Sequence, residues 1–235
     1  MKIFLAALVF LLPFAAQSAS AREGGFVAAE QADPYRHLPT PPAPSSPSND
    51  AELAELHRIE SARSEADVAK AKADADDKTV FLFRNVFGDK FAKENLPALD
   101  ALGAKVARDE NEAIEETKKE FHRRRPYNSD ETLHPVCRTT DKDDSYPSGH
   151  ATLGYVLALT LIDIVPERRD AILARADDYA RSRLICGVHY PSDVAAGRLT
   201  AYAIHAVIAL NARYREEAAA ARAELRRALG TARAD

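Results

Sequence analysis

Apolar residues in this chain recur mostly at intervals of three and four, the period of a helix buried along one face. Between Leu96 and Phe121, residues Leu99, Leu102, Val106, Ala113 and Ile114 fall on one broad side, with charged residues on the other. That spacing predicts an amphipathic helix ending before Pro126, because the residue ahead of a proline is steered out of helical space. The Ala- and Glu-rich run Ala51 to Asp76 predicts another, with Ser48, Asn49 and Asp50 as capping residues. Thr79 to Phe87 is aromatic and β-branched. Periodicity does not separate a strand from a buried helix there, and the helical surroundings favour the helix. His150 to Val165 reads as an apolar helix stopped by Pro166, and Glu167 to Arg183 as the next. Ser192 to Ala228 reads as one long Ala-rich helix with Ser192 as its cap, and Tyr127 to Ser148 as a polar loop. With no strand-rich region and no internal repeat, the expected class is all-α, a compact helical bundle.

The first fifty residues break this pattern. Met1-Lys2, an apolar run from Ile3 to Leu12 and a small-residue exit to Ala21 have the form of a secretory signal peptide, residues 1–21. The apolar run is too short to cross a bilayer comfortably. Ala19-Ser20-Ala21 is the expected cleavage region, and no Cys follows it to carry a lipid. Residues 22–50 hold Pro34, Pro39, Pro41, Pro42, Pro44 and Pro47 and read as a Pro-rich extended arm, with Tyr35 and Leu38 able to pack on the body. Residues 51–235 then form a single helical domain. No later segment is a convincing membrane span: Leu153 to Val165 is short and contains Asp163. The expectation is an exported protein, periplasmic or secreted, without stable membrane insertion.

The 235 residues suffice for one domain with a sizeable core, and the net charge of −4 argues against a nucleic-acid partner. Two cysteines, Cys137 and Cys186, are present. In an oxidising compartment an even pair points to one disulfide rather than two buried thiols. Closing a loop of about 50 residues stabilises by ~4 kcal/mol in the chain-entropy picture.

Three segments carry chemistry. Lys118 and Arg125 lie seven residues apart, close to two helical turns, and share a face if the helix reaches that far. A solvated basic patch is the bland alternative, since Lys119, Arg123 and Arg124 lie between them. Ser148-Gly149-His150 opens a helix, where exposed amides bind anions, Gly149 permits close approach, and the Ser148 hydroxyl adds a donor. His150 is placed to hand a proton to a leaving oxygen. Arg183 precedes His189 across Cys186-Gly187, and Asp193 follows four residues later, where its carboxylate can hold one ring nitrogen and leave the other as nucleophile. Taken singly, the last two segments read equally well as a helix cap with a surface His and as a structural His beside an Asp.

Jointly, the three segments resemble the type 2 phosphatidic-acid phosphatase superfamily, which includes vanadium haloperoxidases. The closer resemblance is to bacterial class A non-specific acid phosphatases, carried by S-Y-P-S-G-H at Ser145 to His150 and S-R-L-I-C-G-V-H at Ser182 to His189. Asp144 and Ala151 depart from the Gly and Thr more common beside the first motif.

The resemblance implies that His189 attacks phosphorus and becomes a phosphohistidine, Asp193 orients its ring, and His150 protonates the leaving alcohol and then activates water. Lys118, Arg125, Arg183, Ser148 and the Gly149 amide would hold the phosphoryl oxygens. No metal and no cofactor is expected, since fixed cations fill a metal's electrostatic role and no cluster has metal-ligand spacing. His37, His57, His122, His134 and His205 are isolated surface or core residues. The implied partners are small organic phosphate esters and inorganic phosphate; the implied assembly is a homo-oligomer, with a homodimer as one form. The tail from Ala218 to Asp235 reads as a solvated helix end. The competing readings are a vanadate-dependent haloperoxidase with the same anion pocket, a membrane lipid phosphatase, which requires several spans, and a non-catalytic phosphate-binding protein.

Overall fold

The computed structural model describes residues 25–27, 31 and 34–230; the expected signal peptide lies outside the described residues, as does the end of the tail, 231–235. A 3-10 turn at Pro34–His37 precedes the first helix, α1 (Pro47–Ala62), which starts on Pro47 with Ser46 as cap, its hydroxyl accepting from the Asn49 amide at 3.2 Å. Helix geometry therefore enters the last residues of the expected arm, because a proline is tolerated at the first helical position.

The run expected as one helix over Ala51 to Asp76 is two. Arg63 turns extended, and α2 (Glu65–Asp76) restarts on a reciprocal cap in which Ser64 and Asp67 exchange hydrogen bonds. The break frees the Arg63 guanidinium to donate to the Ile185 and His134 carbonyls at 2.9 and 2.8 Å. Thr79 to Phe87 is helical in character but irregular, a 3-10 turn at Val80–Phe83 followed by the single-turn α3 (Arg84–Phe87), which Gly88 ends at a φ of 85°. Helix α4 (Pro97–Phe121) buries Leu99, Leu102, Val106, Ala113 and Ile114 as the spacing predicted. It ends at His122 in the left-handed conformation, so Arg125 does not share a helix with Lys118. The short α5 (Pro126–Ser129) follows Arg125.

Helix α6 (Gly149–Ile164) is the core helix and is apolar on all sides. It packs against α4, against α7 (Arg169–Ile185), α8 (Pro191–Ile208) and α9 (Ala212–Ala228). The long helix expected from Ser192 to Ala228 bends by 100° between α8 and α9. Asn211 causes the restart, its side-chain oxygen accepting from the Arg213 and Tyr214 amides at 2.9 and 3.3 Å. Ser192 is not a cap; it sits inside the first turn of α8 and binds Glu52 through its amide and hydroxyl. Among the described residues no strand forms, and no single helix is long and apolar enough to cross a membrane.

Two links hold the outer segments to this core. The sulfurs of Cys137 and Cys186 stand at a bonded 2.06 Å, joining the loop after α5 to the end of α7. In the arm, the Pro39 carbonyl accepts the Tyr146 hydroxyl at 2.5 Å, and the turn at Pro34–His37 lies against α4 and α8.

Helix α8 packs closely on the start of α6. A Cβ at Gly197 would stand 2.7 Å from the Ser148 carbonyl oxygen and 2.9 Å from the Ala151 Cβ. Gly197→Ala is therefore expected to lower the unfolding free energy by about 1–3 kcal/mol, measured as a drop in the urea midpoint at unchanged slope.

Candidate active site

The start of α6, the end of α7 and the residues leading into α8 meet the C-terminal part of α4 around a cavity of about 880 Å³. Six of the eight residues expected to catalyse or to bind phosphate line it: Lys118, Arg125, Gly149, His150, Arg183 and His189. The other two, Ser148 and Asp193, stand fully buried behind the wall. Ser148 caps α6, accepting from the Ala151 amide at 3.4 Å, and its own amide donates to the Asp193 carbonyl at 3.0 Å.

Asp193 organises the site. One carboxylate oxygen accepts the Ser145 hydroxyl at 2.6 Å, the Tyr190 amide at 2.8 Å and His189 Nδ1 at 3.4 Å. The other accepts Arg123 Nη1 at 2.6 Å. Burial pushes the Asp193 carboxyl up to about 6, against the pull of Arg123, Ser145 and Tyr190. Arg123 in turn reaches Glu52 at 2.8 Å and lies 3.8 Å over the Tyr190 ring. The sequence reading left Arg123 in a solvated patch. Its burial follows from the left-handed turn at His122, which redirects the chain, and basic spacing carries no trace of that turn.

The tautomer of His189 follows from hydrogen-bond chemistry. Arg125 Nη1 lies 2.8 Å from His189 Nε2. A guanidinium has donors only, so Nε2 is the unprotonated nitrogen, and Nδ1 carries the hydrogen toward Asp193. The lone pair thus lies on the cavity side. Burial, reinforced by Arg125, Arg183 and Lys118, holds His189 well below the usual imidazole range. His150 Nε2 lies 3.0 Å from the Ala75 carbonyl, an acceptor, so Nε2 carries hydrogen and Nδ1 is the nitrogen left to gain a proton. Burial and the nearby Arg183 pull His150 down to about 3.

The three cations differ in their partners. Arg125 donates to Asp144 at 2.8 Å and to the Val188 carbonyl at 2.9 Å. Lys118 stands 3.8 Å from the same Asp144. Arg183 is buried, and its Nε has no hydrogen-bond partner among the described residues. Burial lowers its guanidinium to about 10. Such a group is completed by an anion.

Residues 106–217, which contain Lys118, Arg125, Ser148, Gly149, His150, Arg183, His189 and Asp193, match the PAP2 superfamily. An acid phosphatase of Zymomonas mobilis is 31% identical over 205 residues, covering 84% of this chain and 77% of that one. The chain belongs to the PAP2 superfamily. A non-specific acid phosphatase of Salmonella typhimurium is 29% identical over 212 residues, 81% of this chain and 80% of the relative. Another from Providencia stuartii is 32% identical over 168 residues, 68% of this chain and 64% of the relative. A transmembrane PAP2-type phosphatidylglycerolphosphate phosphatase from Bacillus subtilis shares the fold, with a TM-score of 0.52 at 17% identity over 70% of this chain and 86% of that one.

Arg123 and Asp193 have side chains only 7% and 0% exposed. Arg123→Met should cost about 3–5 kcal/mol in urea unfolding, because it strands a buried carboxylate. Asp193→Asn added to it should recover part of the loss, a positive coupling in the double-mutant cycle.

Proposed function

We propose that this chain is an exported acid phosphatase that hydrolyses many phosphate monoesters through a metal-independent phosphohistidine at His189. The observation that carries the reading is the pair of hydrogen bonds on the His189 ring, with Nδ1 toward Asp193 and Nε2 toward Arg125 at the cavity wall. A neutral imidazole with its lone pair facing three cations is a nucleophile aimed where a phosphoryl group would rest.

The steps follow from these groups. Arg125, Lys118, Arg183 and the Gly149 amide bind the phosphoryl oxygens, Arg125 leaving Nε2 as it does so. His189 Nε2 attacks phosphorus, and the bond to the leaving oxygen breaks. His150 gives that oxygen a proton from Nδ1. Water then attacks the phosphohistidine, His150 takes the water proton, and the P–N bond breaks to release phosphate. The cations stabilise charge as it shifts among the oxygens, which is the role a metal would otherwise fill.

Charge explains an acidic optimum. Burial, reinforced by the nearby cations, disfavours the charged form of both histidines. A phosphate ester brings compensating negative charge, which raises His150 so that it holds a proton in the complex. That proton is retained on the acid side and lost as pH rises. His189, held well below the usual imidazole range by burial and then by Arg125, Arg183 and Lys118, remains a free nucleophile at mildly acidic pH. The cavity is large beside a phosphoryl group, which favours varied leaving alcohols. Export is supported by the N-terminal pattern and by the bond between Cys137 and Cys186.

The test is release of p-nitrophenol from p-nitrophenyl phosphate by purified protein from acidic to neutral pH with EDTA present. Turnover should survive the chelator and peak below neutrality, and His189→Ala should lower kcat by at least about a thousandfold. A His189→Ala enzyme with wild-type turnover would end the phosphohistidine reading.

A further inference from the structure

Glu110 has no role in the steps above, yet it lines the same cavity. It lies on α4 about two turns before Lys118 and is buried. One of its oxygens, Oε1, has no hydrogen-bond partner among the described residues. A Cβ placed on Gly149 would lie 4.0 Å from that oxygen and 3.9 Å from Lys118 Nζ. An unpartnered carboxyl oxygen therefore borders the space beside the Gly149 amide, where the anion is expected.

We propose that Glu110 is a phosphate-binding residue that acts as a neutral acid, donating its carboxyl hydrogen to a phosphoryl oxygen held between Lys118 and the Gly149 amide. A carboxylate there would repel the same oxygen, so ionisation of Glu110 turns a donor into a barrier. The inference rests on the phosphatase reading of the cavity but concerns only how phosphate is bound.

The electrostatic surroundings agree with the geometry. On α4 itself Lys118 and Glu115 face Glu110, one favouring the carboxylate and the other opposing it. Lys78, from the turn after α2, also favours the carboxylate, and Asp76 lines the same cavity. From α6 the facing titratable group is His150; from α7 they are Arg183 and Tyr179. Arg125, His189, Lys72 from α2 and Arg138 from the loop after α5 also line the cavity. Against these cations burial dominates and pushes Glu110 up to about 8. The acid is thus neutral throughout the acidic range and ionises on the alkaline side. Bound phosphate, by accepting its hydrogen, raises it further, so binding above that point must take up a proton.

The experiment is calorimetric titration of inorganic phosphate into wild-type protein and Glu110→Gln across pH, in buffers of differing ionisation enthalpy. Glutamine keeps a donor of the same shape but cannot ionise. Affinities should agree near pH 6, and by about pH 9 wild type should bind roughly tenfold more weakly than the variant. Ionisation of phosphate itself is common to both proteins and cancels in that ratio. Glu110→Ala, which has no donor, should bind more weakly than Gln at every pH. Parallel pH profiles for wild type and Gln would overturn the proposal. So would an absence of net proton uptake on phosphate binding to wild type at about pH 8.5, a measurement that needs no variant to fold. The readout does not depend on turnover: a wild type that binds phosphate with these profiles yet hydrolyses nothing would sink the phosphatase reading and leave Glu110 standing.

Discussion

A carboxylate sealed from water stays charged only if donors surround it, and Asp193 meets that requirement with partners from four places in the chain. Ser145 reaches it from the loop before α6, Arg123 from the turn after α4, the Tyr190 amide from the start of its own helix, and His189 from the cavity wall. The Asp193 backbone carbonyl also receives the Ser148 amide, which ties α8 to the first turn of α6. Each of the three motif segments is thus anchored, directly or through one neighbour, to a single buried anion. The absence of a side chain at Gly197 allows the two helices to approach closely enough for this.

The wall of the cavity follows the opposite logic. Behind it, charge is matched: Arg123 has Asp193 and Glu52, and Arg175 has Asp74 at 2.5 Å. On it, charge is left over. Arg183 has no carboxylate within pairing distance among the described residues, and Lys118 and Arg125 share one, Asp144. Positive charge concentrated on a partly desolvated surface is costly until an anion arrives. Burial first, and this excess second, lowers both histidines. Under the proposed phosphatase reading, substrate binding and proton placement would be linked, since an ester's negative charge offsets the cations that add to the effect of burial on His150.

Much of this was legible in the sequence because the informative groups are local. The apolar positions of α4 and α6 follow helical period, and Ser148-Gly149-His150 sits at a helix start where an anion-binding turn would be written. Periodicity did not reveal the breaks. Ala51 to Asp76 and Ser192 to Ala228 keep helix-compatible composition through Arg63 and Asn211, and only the capping hydrogen bonds of Ser64 and Asn211 show that the chain restarts. Arg123, Glu52 and Glu110 were illegible for a different reason. Their roles depend on long-range burial, Glu52 meeting Arg123 across 71 residues, and nothing in a run of Arg or Glu marks which one turns inward.

The departure at Asp144 acquires a meaning from this arrangement. Where a Gly would offer Lys118 and Arg125 no side-chain anion, the Asp144 carboxylate lies near both from a position that is 28% exposed. It supplies part of the negative charge that a phosphoryl group would bring to these two cations. A bound dianion offers those two cations more charge than Asp144 does, along with a geometry that a guanidinium matches. Under the proposed phosphatase reading, the exchange would release Asp144 toward solvent, which its 28% exposure allows. A carboxylate placed instead where Glu110 lies has no such exit. Asp144 and Glu110 thus differ in access to water: the Asp144 side chain is 28% exposed, whereas Glu110 is buried, and burial pushes its carboxyl up to about 8.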